Sequence, residues 1–207
     1  SAREMSNNFL SESRVVIEDG MEIKSPRELQ AMERAGRVVA HTLVALQAAV
    51  EPGIRTRDLD AIARAEIARH GAVPSFVGYR GFPASVCVSI NDEIVHGIPG
   101  DKVIREGDLV SLDVGAIVNG FHGDAAVTVG AGEITPQAQE LIDATRDALV
   151  AGIQAAGAGA RIGDISAAVQ TLAESRGYSV VREYVGHGIG RRMHEEPSVP
   201  NYGKPGR

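Results

Sequence analysis

Two aspartates in the segment LDVGAIVNGFHGD are spaced so that they could bind one metal ion. The Asn-Gly pair at 119–120 predicts a two-residue β-hairpin turn, because both residue types accept positive φ. A turn centred there pairs Asp113 with Ala126. It also pairs Gly115 with Asp124, so both carboxylates lie on one face of the hairpin. Diagonal neighbours of this kind are about 7–8 Å apart at Cα, within reach of a shared cation.

The same aspartates also fit a plain structural interpretation. Two neighbouring carboxylates repel each other, and a divalent ion between them would remove that repulsion. However, an antiparallel sheet commonly turns one polar face to water, and the hairpin by itself favours this second interpretation. The polar residues that would form such a face are Ser111, Asp113, His122, Asp124 and Thr128.

Three histidines shift the balance toward a metal site. His96 lies in VHGIPG, His187 in GHGIG and His194 in RMHEEP. A lone histidine is more often a hydrogen-bonded structural residue than a ligand, but the glycines beside His187 let other groups approach it closely. Two aspartates and an imidazole suit Mn, Fe, Co or Zn better than Ca. His122 fits a role in bracing the hairpin as well as it fits a catalytic one.

Four helices are predicted around these residues, in two similar pairs. The first pair begins at 25–26, breaks at 52–53 and ends at Gly71, and the second begins at 135–136 and ends at Gly177. At one constant offset of 106 residues, four positions match: Gly53 with Gly159, Asp58 with Asp164, Leu59 with Ile165, and Gly71 with Gly177. The repeated order of helix, break, helix and glycine predicts an internal duplication.

Strand patterns follow only the first pair of helices. Alternating apolar and polar residues over 85–90, and further strand-like stretches at 107–117 and 121–129, predict a sheet in the first half. About 30 residues follow Gly177, and they include no counterpart of the two long hairpin strands. We therefore expect the second half to be incomplete.

Composition and charge exclude several classes of protein. The 207 residues carry a net charge of −6 and no basic block, which argues against direct binding of nucleic acid or an anionic membrane. No apolar run approaches the ~20 residues of a membrane span. The single cysteine, Cys87, excludes an internal disulfide and fits a reducing cytoplasm. Residues 1–20 are polar and patternless, so we expect a flexible lead or tag remnant before one domain at 21–207.

Four segments together resemble type I methionine aminopeptidase, the group within peptidase family M24 that removes initiator methionine. They are KSPRELQAMERAGRVVA, NDEIVHGIPG, LDVGAIVNGFHGDAAVTV and YVGHGIGRRMHEEP, and the likeness spans residue 21 to about 200. The resemblance implies the α+β pita-bread fold of creatinases and aminopeptidases, with two pseudo-symmetric αβ halves and antiparallel sheet. That layout agrees with the duplication, with the second half incomplete.

The resemblance implies a role for each candidate residue. Asp113 is similar to the family's bidentate ligand of one metal, and Asp124 is similar to the carboxylate that bridges two metals. His187 matches the imidazole ligand of the other metal. His96 is implied to contact the substrate amide and pass a proton, and His194 to steady the tetrahedral intermediate. The implied cofactor is a pair of divalent ions, with Co, Mn, Fe and Zn as the candidates.

The resemblance also implies a pocket for the methionine side chain. Its implied lining is Tyr79, Phe82 and Cys87, from GYRGFPASVC, together with Met193 and the two catalytic histidines. The family usually has an aromatic residue where this chain has Met193, but a thioether suits an apolar pocket as well. Without the family, Phe82 and Met193 fit equally well as ordinary core residues.

The implied activity is metal-dependent removal of the N-terminal methionine from nascent proteins and peptides with small penultimate residues. The implied enzyme is a cytoplasmic monomer, with the ribosome as a further partner and no direct contact with nucleic acid or membrane. Two glutamate ligands of the family, one in a TIEP-like segment and one near the C-terminus, have no counterpart in this sequence. We therefore expect the chain to be part of an active enzyme but to bind metal weakly on its own, and the two absent glutamates leave open that this chain by itself is inactive.

Two alternative functions stay open. The first is an inactive relative that binds nascent chains or ribosomes, although the presence of all five predicted catalytic and metal residues favours an enzyme. The second is another enzyme of the same fold, such as a proline-specific aminopeptidase. Those enzymes usually carry a long extra N-terminal domain, which this sequence does not contain.

Overall fold

The computed structural model describes residues 15–207, and it begins with a short antiparallel hairpin. Strand β1 (Val16–Glu18) pairs with β2 (Met21–Ile23) across a turn at 19–20, where both residues have positive φ. Residues 1–14 of the predicted lead lie outside the described part of the chain. The domain boundary at residue 20 stays a prediction. Strands β1 and β2, which pair with each other, lie on opposite sides of that boundary in the sequence.

Helix α1 covers Pro26–Ala49 and begins as its sequence predicts. Ser25 is the N-cap, and its hydroxyl accepts a hydrogen bond from the main-chain N–H of Glu28 at 3.2 Å. Pro26 lies in the first turn, where main-chain N–H groups have no acceptor within the helix, so its missing N–H loses no hydrogen bond. The buried side of this helix packs against the sheet of the first half.

Helices α2 (Thr56–Arg69) and α4 (Ile162–Ser175) keep the offset of 106 residues at both ends. The matching aspartates explain why, because each accepts a hydrogen bond at the start of its own helix. Asp58 accepts from the Arg55 N–H at 3.1 Å, and Asp164 accepts from the Arg161 N–H at 2.7 Å. These contacts satisfy main-chain donors that a helix N-terminus otherwise leaves unpaired.

The other matched glycines also have a structural reason. Gly71 and Gly177, which follow α2 and α4, have φ of 70° and 85°, a region that favours glycine. Helix α3 covers Pro136–Ala155 and ends at the same offset from the end of α1. The described helices therefore form two similar pairs, as the duplication predicts.

The sheet of the first half is built around one central strand, β5 (Leu109–Val118). It pairs along its whole length with β6 (Phe121–Gly130) and over successive parts with β4 (Val86–Ile90) and the two-residue β3 (Val73–Pro74). All these pairings are antiparallel. The predicted hairpin register is confirmed, with Asp113 opposite Ala126.

The main core lies between this sheet and helices α1 and α2. Its fully buried side chains include Leu46, Leu59, Ile67, Ile104, Leu112 and Val114. All five residues of β4 are buried, so this strand is covered on both faces. The alternation of apolar and polar residues along it therefore does not indicate a solvent-exposed face. Burial of this apolar surface is the main force that holds the sheet and helices together.

The second half adds α3 and α4, which pack on each other, and the short antiparallel pair β7 (Gly186–Gly188) and β8 (Glu195–Val199). The predicted α+β class is confirmed. Among the helices within residues 15–207, none has both the length and the apolar character needed to cross a membrane.

Candidate metal centre

The hairpin places the two predicted aspartates side by side in a half-buried position. Asp113 lies on β5 and Asp124 on β6, two residues apart along the sheet face. Burial, then the charge of Asp124 and a hydrogen bond to it, raise the pKa of Asp113 to about 7. The two carboxylates therefore do not both ionise easily by themselves, and a cation between them would remove the conflict.

His187 comes to the same place from β7, on the other half of the chain. Its Nε2 lies 3.3 Å from Oδ2 of Asp124, and its Nδ1 lies 2.9 Å from the Gly188 carbonyl oxygen. A carbonyl oxygen only accepts, so Nδ1 donates to it, and Nε2 is the ring nitrogen that faces Asp124. Metal-binding histidines are commonly oriented by such a hydrogen bond on their other nitrogen.

The chemistry of these donors fits a divalent first-row metal, but their geometry is not a finished coordination shell. Carboxylate oxygens and an imidazole nitrogen form a typical set for Mn, Fe, Co or Zn. Within residues 15–207, no group of three or more His, Cys, Asp and Glu side chains is arranged to hold a metal ion. Asp113, Asp124 and His187 instead face one another closely enough for hydrogen bonds between neighbours.

His194 lies directly against this group. Its ring centre is 4.1 Å from that of His187, and its Nδ1 lies 3.0 Å from the Tyr79 hydroxyl oxygen. Burial, and then the neighbouring His187, hold the pKa of His194 below its usual range. The imidazole is therefore neutral at neutral pH and can either donate or accept a proton.

His96 faces the same cavity from the loop after β4. It has a positive φ of 61°, and its ring centre lies 6.4 Å from the ring of Tyr184. The next residue, Gly97, packs so tightly on β4 that an added Cβ would overlap the Val88 carbonyl oxygen. This close approach fixes the loop against the strand and places His96 at the cavity wall.

The predicted pocket residues form one cluster beside the aspartates. Cys87 and Met193 are buried together with Phe76, and Tyr79 and Phe82 pack against them. They line a cavity of about 1020 Å³ that also contains both aspartates and the three predicted histidines. The structure therefore brings all the predicted site residues to one cavity. Phe76 was not predicted from the sequence as a pocket residue. The one signal for it in the sequence is its nearness to the segment GYRGFP.

Cys87 should resist alkylation in the folded protein. Burial, and then the charges of Asp113 and Asp124, raise the pKa of its thiol to about 12. At pH 8 the reactive thiolate is therefore about 1000-fold rarer than for an exposed cysteine, and we expect iodoacetamide labelling to slow accordingly. Intact mass measures the labelling directly, because the chain has one cysteine. Labelling as fast as that of the urea-unfolded chain would contradict this environment.

His122 braces the hairpin, one of the two roles that its position left open. It is buried, and its Nδ1 lies 2.8 Å from the Ser75 hydroxyl. Its main-chain N–H donates to the Gly190 carbonyl at 2.9 Å. Burial holds the pKa of His122 below its usual range, so it is a neutral imidazole that ties the hairpin to two loops. The hairpin face is accordingly half-buried rather than turned to bulk water.

Comparison with known proteins agrees with the resemblance seen in the sequence. Residues 30–207 match the family model of metallopeptidase family M24. A methionine aminopeptidase of Clostridium acetobutylicum is 52% identical over 186 residues, which cover 89% of this chain and 74% of that protein. Methionine aminopeptidase 1 of Bacillus subtilis is 50% identical, again over 89% of this chain and 74% of the relative.

Solved structures show the same relationship. The crystal structure of methionine aminopeptidase from Rickettsia prowazekii matches with a TM-score of 0.87 at 40% identity, over 89% of this chain and 75% of that one. The prolidase from Pyrococcus furiosus matches with a TM-score of 0.77 at 24% identity, over 88% of this chain and 53% of that one, which shows a shared fold alone. The chain thus has the pita-bread fold, and it belongs to metallopeptidase family M24 and, within it, to the methionine aminopeptidases.

Proposed function

We propose that this site hydrolyses the first peptide bond of proteins and peptides that begin with methionine. One observation carries the proposal, namely the pairing of Cys87 on β4 with Asp113 on β5. Cys87 belongs to the apolar pocket and Asp113 to the carboxylate pair, so the two are direct cross-strand neighbours. A side chain that fills the pocket therefore holds the bond next to it beside the carboxylates.

The metal ligands in this proposal are Asp113, Asp124 and His187, which would hold two divalent ions. Bound ions of this type lower the pKa of a water molecule and polarise a carbonyl oxygen near neutral pH. Co, Mn, Fe and Zn all suit the donor set. Asp124 contacts both other ligands, which supports its assignment as the residue shared between the ions.

His194 has the geometry to stabilise negative charge on the scissile carbonyl oxygen. When the Tyr79 hydroxyl donates to Nδ1, the Nε2–H of His194 is left free to donate. A donor preorganised beside the reacting carbonyl commonly contributes a large part of catalysis. His96, on the opposite loop, orients the amide of the same bond and passes a proton to the departing amine.

The apolar cluster sets the preference for methionine at the first position. Sulfur and aromatic groups from Cys87, Met193 and Phe76 are polarisable and pack well against a flexible thioether. An unbranched side chain enters such a pocket more easily than a β-branched one. Small residues at the second position avoid the cost of fitting a large side chain at the cavity mouth.

The direct test is cleavage of Met-Ala and Met-Gly peptides by the purified chain with excess Mn, Co or Fe. We expect free methionine to appear, detected by mass spectrometry, and no release from the matched Val-Ala peptide. No turnover with any metal, from a chain of confirmed mass and folded state, would favour an inactive binding module instead. Release of the first residue from Xaa-Pro substrates in preference to Met-Ala would favour the proline-specific alternative.

Excess metal matters because the described residues offer few ligands for two ions. Stable sites usually have three or four protein ligands for each ion. Here two ions would share three ligands in all, namely Asp113, Asp124 and His187. We therefore expect calorimetry to show weak metal binding by the 207-residue chain. Tight binding of two ions would mean that other side chains take part.

The setting of the reaction is also part of the proposal. The substrates are nascent chains in the cytoplasm, and the enzyme acts as a monomer close to the ribosome. A single buried thiol and a net charge of −6 support a reducing compartment and no direct contact with nucleic acid. Size-exclusion chromatography with light scattering measures the oligomeric state directly.

A further inference from the structure

The segment that leads from β7 to the first residue of β8, which we call the 190–195 turn, presents Met193 to the pocket and His194 to the catalytic group. A residue far away in sequence holds the end of this turn. Lys24, just before α1, donates from Nζ to Oε1 of Glu195 at 2.8 Å. Their side chains are 13% and 2% exposed, so this ion pair is nearly dry.

Both oxygens of Glu195 have partners. Oε2 accepts a hydrogen bond from the Arg192 main-chain N–H at 3.0 Å, which closes the turn on itself. Gly190 leaves room for the arrangement, since an added Cβ would lie 2.5 Å from Oε2 of Glu195 and 2.6 Å from Cε of Lys24. The buried carboxylate therefore links the turn to the segment before α1.

Two further ion pairs join the same segments but are more exposed. Arg191 lies 2.9 Å from Glu28, and the Arg191 side chain is 42% exposed. Arg192 lies 3.7 Å from Glu22, and the Arg192 side chain is 70% exposed. Exposed pairs of this kind contribute little, because water and salt screen them. The buried pair of Lys24 and Glu195 is therefore the one that can fix the position of the turn.

We propose that Lys24 and Glu195 are positioning residues for the hydrolysis, which hold Met193 in the pocket wall and His194 at the reacting bond. Lys24 and Glu195 are not among the proposed metal ligands or methionine-pocket residues, and Glu195 acts through His194, its direct neighbour in sequence. This inference rests on the function proposed for the site. It assigns a role in the reaction to a residue 171 positions away from the catalytic turn.

The test separates positioning from stability by replacing the whole pair. Lys24→Met alone leaves Glu195 buried without its cation, which lowers the unfolding midpoint. The double variant Lys24→Met/Glu195→Leu removes both charges, and apolar replacements of a buried ion pair often keep or raise stability. It also leaves the Arg192 N–H without its acceptor, so the turn loses its anchor while the fold is retained.

We expect the double variant to recover the unfolding midpoint lost in Lys24→Met, while its kcat on a Met-Ala peptide stays about tenfold or more below wild type. The variant Lys24→Met/Glu195→Gln keeps an acceptor for Arg192 and should retain a higher kcat than the Leu variant. Arg37→Gln, which removes an exposed pair on α1, is the control and should match wild type. Wild-type kcat in the Leu double variant would overturn the proposal.

A second readout does not depend on activity. In the metal-free chain, the methyl resonance of Met193, assigned with Met193→Leu, should shift in the Leu double variant and stay near its wild-type position in the Gln one. Identical Met193 spectra for both double variants and wild type would also overturn the proposal. If the wild-type chain cleaves no methionyl peptide, the proposed function fails, and the Met193 resonance still decides whether the pair positions the turn.

Discussion

Asp124→Asn should reduce methionine release from a Met-Ala peptide by well over about 100-fold, more than the loss typical of a residue that only supports a metal ligand. The amide keeps the shape of the side chain but carries no negative charge. Asp124 lies against both Asp113 and His187, so a neutral residue there weakens every metal contact at once. The measurement is kcat/KM over a range of metal concentrations, with metal affinity from calorimetry beside it.

Two variants serve as controls for this result. Asp143→Asn makes the same chemical change on the exposed side of α3, where Asp143 pairs with Arg146, and should leave kcat/KM unchanged. Cys87→Ser alters the pocket but no proposed ligand, and should mainly raise KM. Equal losses from Asp124→Asn and Cys87→Ser would contradict the assignment of Asp124 as a shared ligand.

Gly123→Ala should destabilise the fold by about 3 kcal/mol, the upper end of the usual cost of overpacking a core. An added Cβ would lie 2.7 Å from the main-chain carbon of Ala35 and 2.7 Å from the nitrogen of Gly36, and neither backbone atom can move away as a flexible side chain would. In a domain of this size, that loss lowers the unfolding midpoint by on the order of 10 °C. Thermal unfolding followed by circular dichroism measures it.

Gly36→Ala provides a control on the other side of the same contact, with the opposite sign. Gly36 is exposed within α1, and an added Cβ there meets no atom within 4 Å. Alanine in a helix interior is more favourable than glycine by about 0.5–1 kcal/mol, so this variant should unfold at a higher temperature. If both variants destabilise the protein to the same extent, close packing on α1 is not what requires glycine at position 123.

The hairpin register follows from local sequence alone. Asn119 and Gly120 have φ of 49° and 81°, as a two-residue turn of this hand requires, and the turn then fixes which residues face each other. The matched helices are likewise local, because Asp58 and Asp164 each cap the helix on which they lie. The family resemblance, carried by four short segments, is confirmed by relatives about 50% identical. The catalytic and metal-binding roles of individual residues stay predictions.

Local sequence determined the turn, the caps and the alternation that puts Asp113 and Asp124 on one face, because these depend on residues within about ten positions of each other. Only the tertiary structure decided that Phe76 joins the pocket, that Ser75 holds His122, and that Lys24 reaches Glu195. Such partners are chosen by packing between elements, and many residues along the chain could satisfy the same need. Burial, too, exists only in the folded molecule. The sequence therefore predicts the repulsion between the two aspartates but not the desolvation that contributes most to the raised pKa of Asp113.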